Sequence, residues 1–290
     1  MFPGATTDRE AASYVVVGAP LDATTTFQPG TRFGPDRIRQ FSRSYDDYDR
    51  RTDSDFSALG VHDAGDVPPW DDVEEYLDHL AAELRSVTYD DAVPLLVGGE
   101  HTVTYAGVEA VDPDVLVVCD AHLDLRDAYD GNPWSHACVT RRTLDDLGVD
   151  RVVIVGARTG SEAEWERAAE GDVEVVAPEE TRGWLDDLAG HSADGDADGP
   201  FAGESVYCSV DIDALDPGFA PGTGTTEPFG IDPREVRDLV RAVAPRADGF
   251  DVVEVNDRDD GQAAALAAKL LREFVRTHAS ARAGDAGKDV

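Results

Sequence analysis

Short apolar runs recur along the chain, and between them lie longer stretches in which apolar residues return every three or four positions. The runs predict strands over 14–18, 92–97, 115–119, 151–155, 173–176, 206–210 and 251–255. The periodic stretches predict amphipathic helices over 35–44, 71–86, 103–111, 135–147, 161–170, 178–188, 232–243 and 261–278. Strands that are apolar throughout and alternate with helices imply a mostly parallel sheet covered on both faces, an α/β class. The Gly/Asp/Ser-rich piece GHSADGDADGP reads as an exposed loop over 190–200, and residues 280–290 as a frayed tail. With no shift of composition along its length, the chain reads as one domain over 1–290.

Composition narrows the partners. Lys and Arg number 25 against 60 Asp and Glu, a formal net charge of −35, whose long-range field repels nucleic acid and anionic membrane and attracts cations. The acidic residues are spread along the whole chain and only Lys269 and Lys288 are lysines, a hydrated surface suited to a high-salt cytoplasm. The thiols of Cys119, Cys138 and Cys208 are widely spaced, odd in number and set mostly in apolar runs, which suits a reducing compartment. Neither a signal-peptide pattern nor an apolar run of about 18 residues is present, so a soluble cytoplasmic protein is expected.

The strand ends carry the chemistry. The run 115–119 leads into DAHLDLRD, with Asp120, His122 and Asp124 two apart, so that in an extended segment they share one face at intervals of roughly 6–7 Å. Two carboxylates crowded together are unfavourable unless a cation lies between them, and these donor types suit Mn²⁺, Zn²⁺ or similar ions. On these residues alone a solvated acidic loop remains the alternative. Other predicted strands end in the same way: His101 follows VPLLVGGE, Asp211 and Asp213 lie in SVDIDALDP, and Glu254 closes FDVVE. In a parallel sheet the carboxyl ends of the strands are where ligands bind. The six residues His101, Asp120, His122, Asp124, Asp211 and Asp213 are more than one ion needs; two ions about 3.5–4 Å apart, sharing carboxylates, would use them all and lower the pKa of a shared water. That points to a metal-activated hydrolase.

GGEH, DAHLD, SHA and above all SVDIDALDPGFAPGTGT resemble the ureohydrolase family of arginases and agmatinases. GAPLDATTTFQPGTRFGPDRIRQ is similar to the family's N-terminal segment, DVVEVN with AAALAAKLL to its last strand and helix, and the likeness runs over about 18–274. The resemblance implies a three-layer α/β/α fold, two Mn²⁺ per chain, and hydrolysis of a guanidinium group to urea and an amine by a homotrimer or homohexamer. It implies that one ion is held by His101, Asp120, Asp124 and Asp211, and the other by Asp120, His122, Asp211 and Asp213. It further implies that Asp124 orients the attacking hydroxide, that Glu254 pairs with the guanidinium, and that His136 gives a proton to the leaving amine. His62, His79, His191 and His278 keep structural readings. The chain departs from the family at Ala137 and Phe229, where glycines are common, and at Thr226, where proline is usual. PGTGT, over 221–225, lacks the Lys and the following helix of a P-loop and reads as an active-site loop.

Substrates of this family differ at the end remote from the guanidinium. Asp127 and Asp130 in the loop after DAHLD, with Glu227, favour an amine tail, and Arg126 is the one counterweight. The reading is agmatine plus water to putrescine plus urea, in polyamine biosynthesis. Aminopropylagmatine is the nearest alternative, followed by arginine and other guanidino or formimino substrates. A single-metal amide hydrolase and a non-catalytic metal-binding member are the readings from other classes.

Overall fold

The computed structural model describes residues 1–193 and 201–286. Among the described residues ten strands form: β1 (Tyr14–Ala19), β2 (Tyr48–Asp49), β3 (Ser54–Asp55), β4 (Val61–Asp66), β5 (Val93–Gly98), β6 (Val115–Cys119), β7 (Arg151–Val155), β8 (Val173–Val176), β9 (Val206–Asp211) and β10 (Ala247–Val253). The helices are α1 (Gly34–Phe41), α2 (Val73–Tyr89), α3 (Thr104–Val111), α4 (Val139–Asp146), α5 (Glu162–Ala168), α6 (Thr181–Ala193), α7 (Pro233–Val243) and α8 (Gln262–Ala286). β2 and β3 make a small antiparallel pair. The other eight form one sheet in the order β4-β1-β5-β10-β9-β6-β7-β8, parallel throughout.

Alternate residues of each strand enter different cores, which gives the three layers. On β1, Tyr14 and Val16 pack with α7 and α8, while Val15 and Val17 pack under α2 and α3. On β6, Val115, Val117 and Cys119 join the first core, and Leu116 and Val118 a third one below α3 and α5. Strands with both faces covered carry no polar alternation, which is why most of them could be read as apolar runs.

The differences from the sequence reading have physical causes. β4 was not expected, because His62, Asp63, Gly65 and Asp66 interrupt the apolar signal. It is an edge strand, and its buried Asp63 is satisfied by Arg39 of α1, which gives it two N–H bonds of 2.9 Å, and by the Phe2 and Gly65 N–H groups. β10 begins at Ala247 and ends before Glu254, whose φ of 61° turns the chain out of the sheet. α4 starts later than expected, since residues 136–138 form a 3₁₀ turn capped by Ser135. α8 continues to Ala286, through residues expected to fray; 287–290 lie outside the described residues. Of the expected 190–200 loop, 190–193 belong to α6 and 194–200 lie outside the described residues.

The order of the sheet positions the site. β5 is followed in sequence by β6, yet β10 and β9 lie between them. This reversal of direction leaves a crevice at the carboxyl ends of these four strands, where ligands bind in open α/β sheets.

Candidate metal centre and its cavity

Each of the four strands delivers its residues differently. After β5, Gly99 and Glu100 give their N–H groups to Ala19 and Leu21 carbonyls at 2.7 and 2.8 Å, and a Cβ on Gly99 would lie 1.9 Å from the Leu21 oxygen. Only glycine permits this approach, and it aims His101 into the crevice. Asp211 ends β9, and its Oδ1 accepts the Asp213 N–H at 2.8 Å, closing the turn that turns Asp213 inward. After β6 the chain leaves the extended conformation. Asp120 Oδ1 accepts the His122 N–H at 2.7 Å, and Asp124 has a φ of 51°. Simple strand alternation is therefore not what brings Asp120, His122 and Asp124 together: a tight turn and a left-handed residue do so, held by the Arg141 N–H on the Asp124 carbonyl at 3.0 Å.

The result is two His/Asp groups sharing one carboxylate, His101–Asp120–Asp124 and Asp120–His122–Asp213. His101 Nδ1 lies 3.0 Å from Asp120 Oδ2, 3.0 Å from Asp124 Oδ2 and 3.5 Å from Asp211 Oδ2. His122 Nδ1 lies 3.1 Å from Asp213 Oδ2 and 3.5 Å from Asp120 Oδ1. All except His122 are buried. Burial pushes the Asp124 carboxyl up to about 6, with Asp120 adding to it, and drives Asp211 well above the carboxylate range, helped by Asp213 and Asp120. Burial acts on Asp120 in the same sense, but the two imidazoles outweigh it and its pKa falls.

This set fits divalent ions. Asp120 Oδ2 is buried without a hydrogen-bond partner, and one ring nitrogen of each histidine faces only carboxylates, the disposition of a lone pair beside a shared cation. His101 Nε2 lies 3.3 Å from Ser209 Oγ, which donates to the buried Asp251 at 2.6 Å. Such a partner behind a ligand fixes the ring. Sequence reading passed over Ser209 and Asp251, although a serine and an aspartate inside otherwise apolar strands were visible signals.

A cavity of about 250 Å³ opens above the two groups, lined by His122, Asp124, Asp211 and Asp213 and by Thr26, His136, Thr225, Arg126, Tyr129 and Glu164. His136 is buried, with Nδ1 2.9 Å from Glu254 Oε1. Burial lowers its pKa, but the Glu254 charge outweighs this and raises it to about 9. Thr26 opposes that shift: its N–H points at His136 Nε2 at 3.1 Å, and its hydroxyl lies 2.9 Å from the same atom, contacts that favour a lone pair there. Glu254 is fully buried behind His136 and does not line the cavity. Its Oε1 also accepts the His101 N–H at 2.9 Å, while Oε2 has no partner.

The three acidic residues expected around a substrate tail lie elsewhere. The Asp127 side chain is 86% exposed and paired with Arg142, Asp130 is exposed in a turn with φ 48°, and the half-buried Glu227 does not line the cavity. A surface loop after DAHLD can point its carboxylates to water, and nothing in the local sequence fixes which way they face. The acidic residue at that end is Glu164, tied to Ser161 by a capping box and 3.2 Å from Arg126. The S-x-x-E spacing announces the cap, but not that it borders the cavity.

The family model described as Arginase family matches residues 12–276. An agmatinase of Pyrococcus horikoshii is 37% identical over 277 residues, 92% of each chain. An N(1)-aminopropylagmatine ureohydrolase of Thermococcus kodakarensis is 37% identical over 269 residues, 90% of this chain and 89% of the other. Among solved structures, the agmatine ureohydrolase of Thermoplasma volcanium superposes with a TM-score of 0.89 at 35% identity, covering 98% of this chain and 95% of that one. With its parallel sheet, its two His/Asp groups at the sheet reversal and these likenesses, the chain belongs to the arginase family.

Proposed function

We propose that the protein is an agmatinase: it hydrolyses agmatine to putrescine and urea, in polyamine biosynthesis, with two Mn²⁺ per chain. The observation that carries the reading is the pair of His/Asp groups sharing Asp120 at the floor of a cavity, in a chain 37% identical to an agmatinase. His101, Asp120, Asp124 and Asp211 would hold one ion and Asp120, His122, Asp211 and Asp213 the other. When bound, the ions would supply Lewis acidity and a water of lowered pKa.

The chain's own groups account for the rest. Glu254 keeps an unpartnered oxygen buried behind His136; pairing with the guanidinium requires substrate to open that oxygen to the cavity, where an N–H donating to it would fix the planar group for attack. Asp124, a carboxylate lining the cavity, would orient the attacking oxygen. Water adds to the guanidinium carbon, the bond from that carbon to the substituted nitrogen breaks, and the departing amine needs a proton because it is too basic to leave as an anion. His136 would give that proton from Nε2. Glu254 stabilises the charged ring and the Thr26 N–H the neutral one, so the proton can be released and taken back.

Glu164, the lining carboxylate outside the metal scheme, can meet an amine of a longer polyamine tail, and a relative of the same identity is named for aminopropylagmatine, so this is the second reading. The test is urea release by Mn²⁺-loaded protein in high salt, with agmatine, aminopropylagmatine and arginine side by side. Preference for agmatine supports the proposal, preference for another guanidino compound reassigns the substrate, and no urea from any of them overturns it. The setting proposed with it is a high-salt cytoplasm and a homotrimer or homohexamer. The acidic composition supports the first and family membership the second, while no described helix is long and apolar enough to cross a membrane.

A further inference from the structure

Arg158 follows β7 and holds neither substrate nor metal in the scheme above. Each of its five side-chain N–H groups is spent on a different backbone carbonyl. Nε donates to Pro228 at 3.2 Å, Nη1 to Gly156 at 2.9 Å and Ala214 at 3.1 Å, and Nη2 to Asp213 at 2.9 Å and Glu227 at 2.6 Å. Its backbone binds a further segment: Arg158 and Thr159 both give their N–H to the Ala121 carbonyl, at 2.9 and 3.2 Å, and Thr159 bridges His122. One residue thus joins the turn bearing Asp120 and His122, the turn bearing Asp213, and the loop over 225–231.

The loop is fitted to this residue from its own side. A Cβ on Gly230 would lie 2.5 Å from the Ala214 oxygen, 2.6 Å from the Asp216 nitrogen and 2.7 Å from Arg158 Nη2. Ile231 and Asp216 exchange bonds with Ala214 and Ile231 at 3.2 and 3.1 Å, and Thr225 at the start of the loop donates to Asp213 Oδ2 at 3.4 Å. Phe229 is held with φ 68° where its N–H reaches Asp216 Oδ2 at 2.8 Å. Nothing comparable ties Arg158 to His101 or Asp124, which hang from β5 and from the Asp124 turn.

We propose that Arg158 is a positioning residue that sets the separation of His122 from Asp213, and so the affinity of the Asp120–His122–Asp213 group for its ion, while holding the 225–231 loop over the cavity. The proposal rests on the reading that both His/Asp groups hold metal. A planar fork with five donors can satisfy carbonyls from three segments at once; an ammonium offers three donors on a flexible stem and cannot. Removing the fork takes a donor from each of those carbonyls, although Ala214 keeps the Ile231 N–H, and the turn that carries Asp213 must shift to find water.

The test is calorimetric titration of metal-depleted full-length protein with Mn²⁺, with bound metal counted, for the wild type, Arg158→Gln and Arg158→Lys. In the wild type two ions bind per chain. In Arg158→Gln one binding event weakens by about 10- to 100-fold, the cost of losing a ligand's support, and the other stays at its wild-type affinity. Arg158→Lys falls between, and at saturating Mn²⁺ regains kcat with a raised KM. Equal weakening of both events with a lower melting temperature would show general destabilisation and overturn the proposal, as would two unchanged events or a wild type that binds a single ion. Should Arg158→Gln not fold, Arg158→Lys decides alone, and a lysine variant indistinguishable from wild type sinks the idea. Failure of the wild type to release urea from any guanidino compound would count against the proposed function and leave the titration standing.

Discussion

Asp213 illustrates what one residue does in this site. It faces His122 at 3.1 Å, accepts the Ala121 N–H and Thr225 hydroxyl, and gives its own carbonyl to Arg158. Asp213→Ala removes a proposed ligand outright, so kcat/KM is expected to fall by more than the roughly 10- to 100-fold that losing a ligand's supporting partner costs. The circular dichroism spectrum should stay that of the wild type, since the surrounding strands are apolar and packed. His136 separates from the ligands by a different result. Its hydrogen bonds go to Thr24, Thr26 and Glu254, so His136→Asn should keep the wild-type metal content while kcat drops by about 10²- to 10⁴-fold, the usual contribution of a placed proton donor. A variant that lost metal in parallel with activity would place His136 among the structural supports. Both residues were readable from motifs. The tail carboxylates were not, because Asp127 and Asp130 sit on an exposed loop whose side-chain directions depend on partners such as Arg142, far enough along the chain to leave no local signal.

At the scale of elements, α8 is locked to β1 by a buried pair. Neutral His278 Nδ1 accepts the Tyr14 hydroxyl at 2.7 Å while the ring stacks on Phe274. Burial, with the Arg282 charge adding to it, lowers the His278 pKa from 6.5 to about 4. The unfolded chain therefore binds the proton first. The stability this histidine contributes is fully present above about pH 6.5 and is lost as the pH falls toward about 4, by an amount on the order of 3 kcal/mol. Denaturant melts from pH 7 to 4.5 should show that loss, and His278→Phe should flatten it. The turn after β5 is a second element-level device. Gly99→Ala puts a methyl 1.9 Å from the Leu21 oxygen, and is expected to cost about 1–3 kcal/mol or more by overpacking. It should also displace His101, so Mn²⁺ affinity should fall together with the melting temperature. β4 shows why an element can be missed: an edge strand with one wet flank is stabilised by Arg39–Asp63 pairing rather than by a continuous apolar run.

The whole molecule carries 60 acidic against 25 basic side chains, and self-repulsion opposes the compact state until salt screens it. The melting temperature is expected to rise steadily from dilute buffer to molar KCl. Equal stability in both would remove the high-salt setting from the proposal. Much of this molecule was determined by sequence alone. Apolar runs of both-face-buried strands and the helical periodicity between them specify a layered parallel sheet, because period and burial are local properties of the chain. The strand-end motifs likewise name the six residues proposed as ligands, five of which the structure gathers into the two His/Asp groups, because donor chemistry is intrinsic to residue type. Only the tertiary structure decided which strands lie side by side, since β9 and β10 enter between β5 and β6 by pairings such as Val206 on Val115 and Phe250 on Leu95, far apart in the chain. It alone placed Glu254 behind His136, turned Asp127 and Asp130 to water, and made Arg158 the junction of three segments. The first two depend on side chains that only the fold brings together or apart, and the last on backbone carbonyls, which every residue carries alike and which sequence therefore cannot single out.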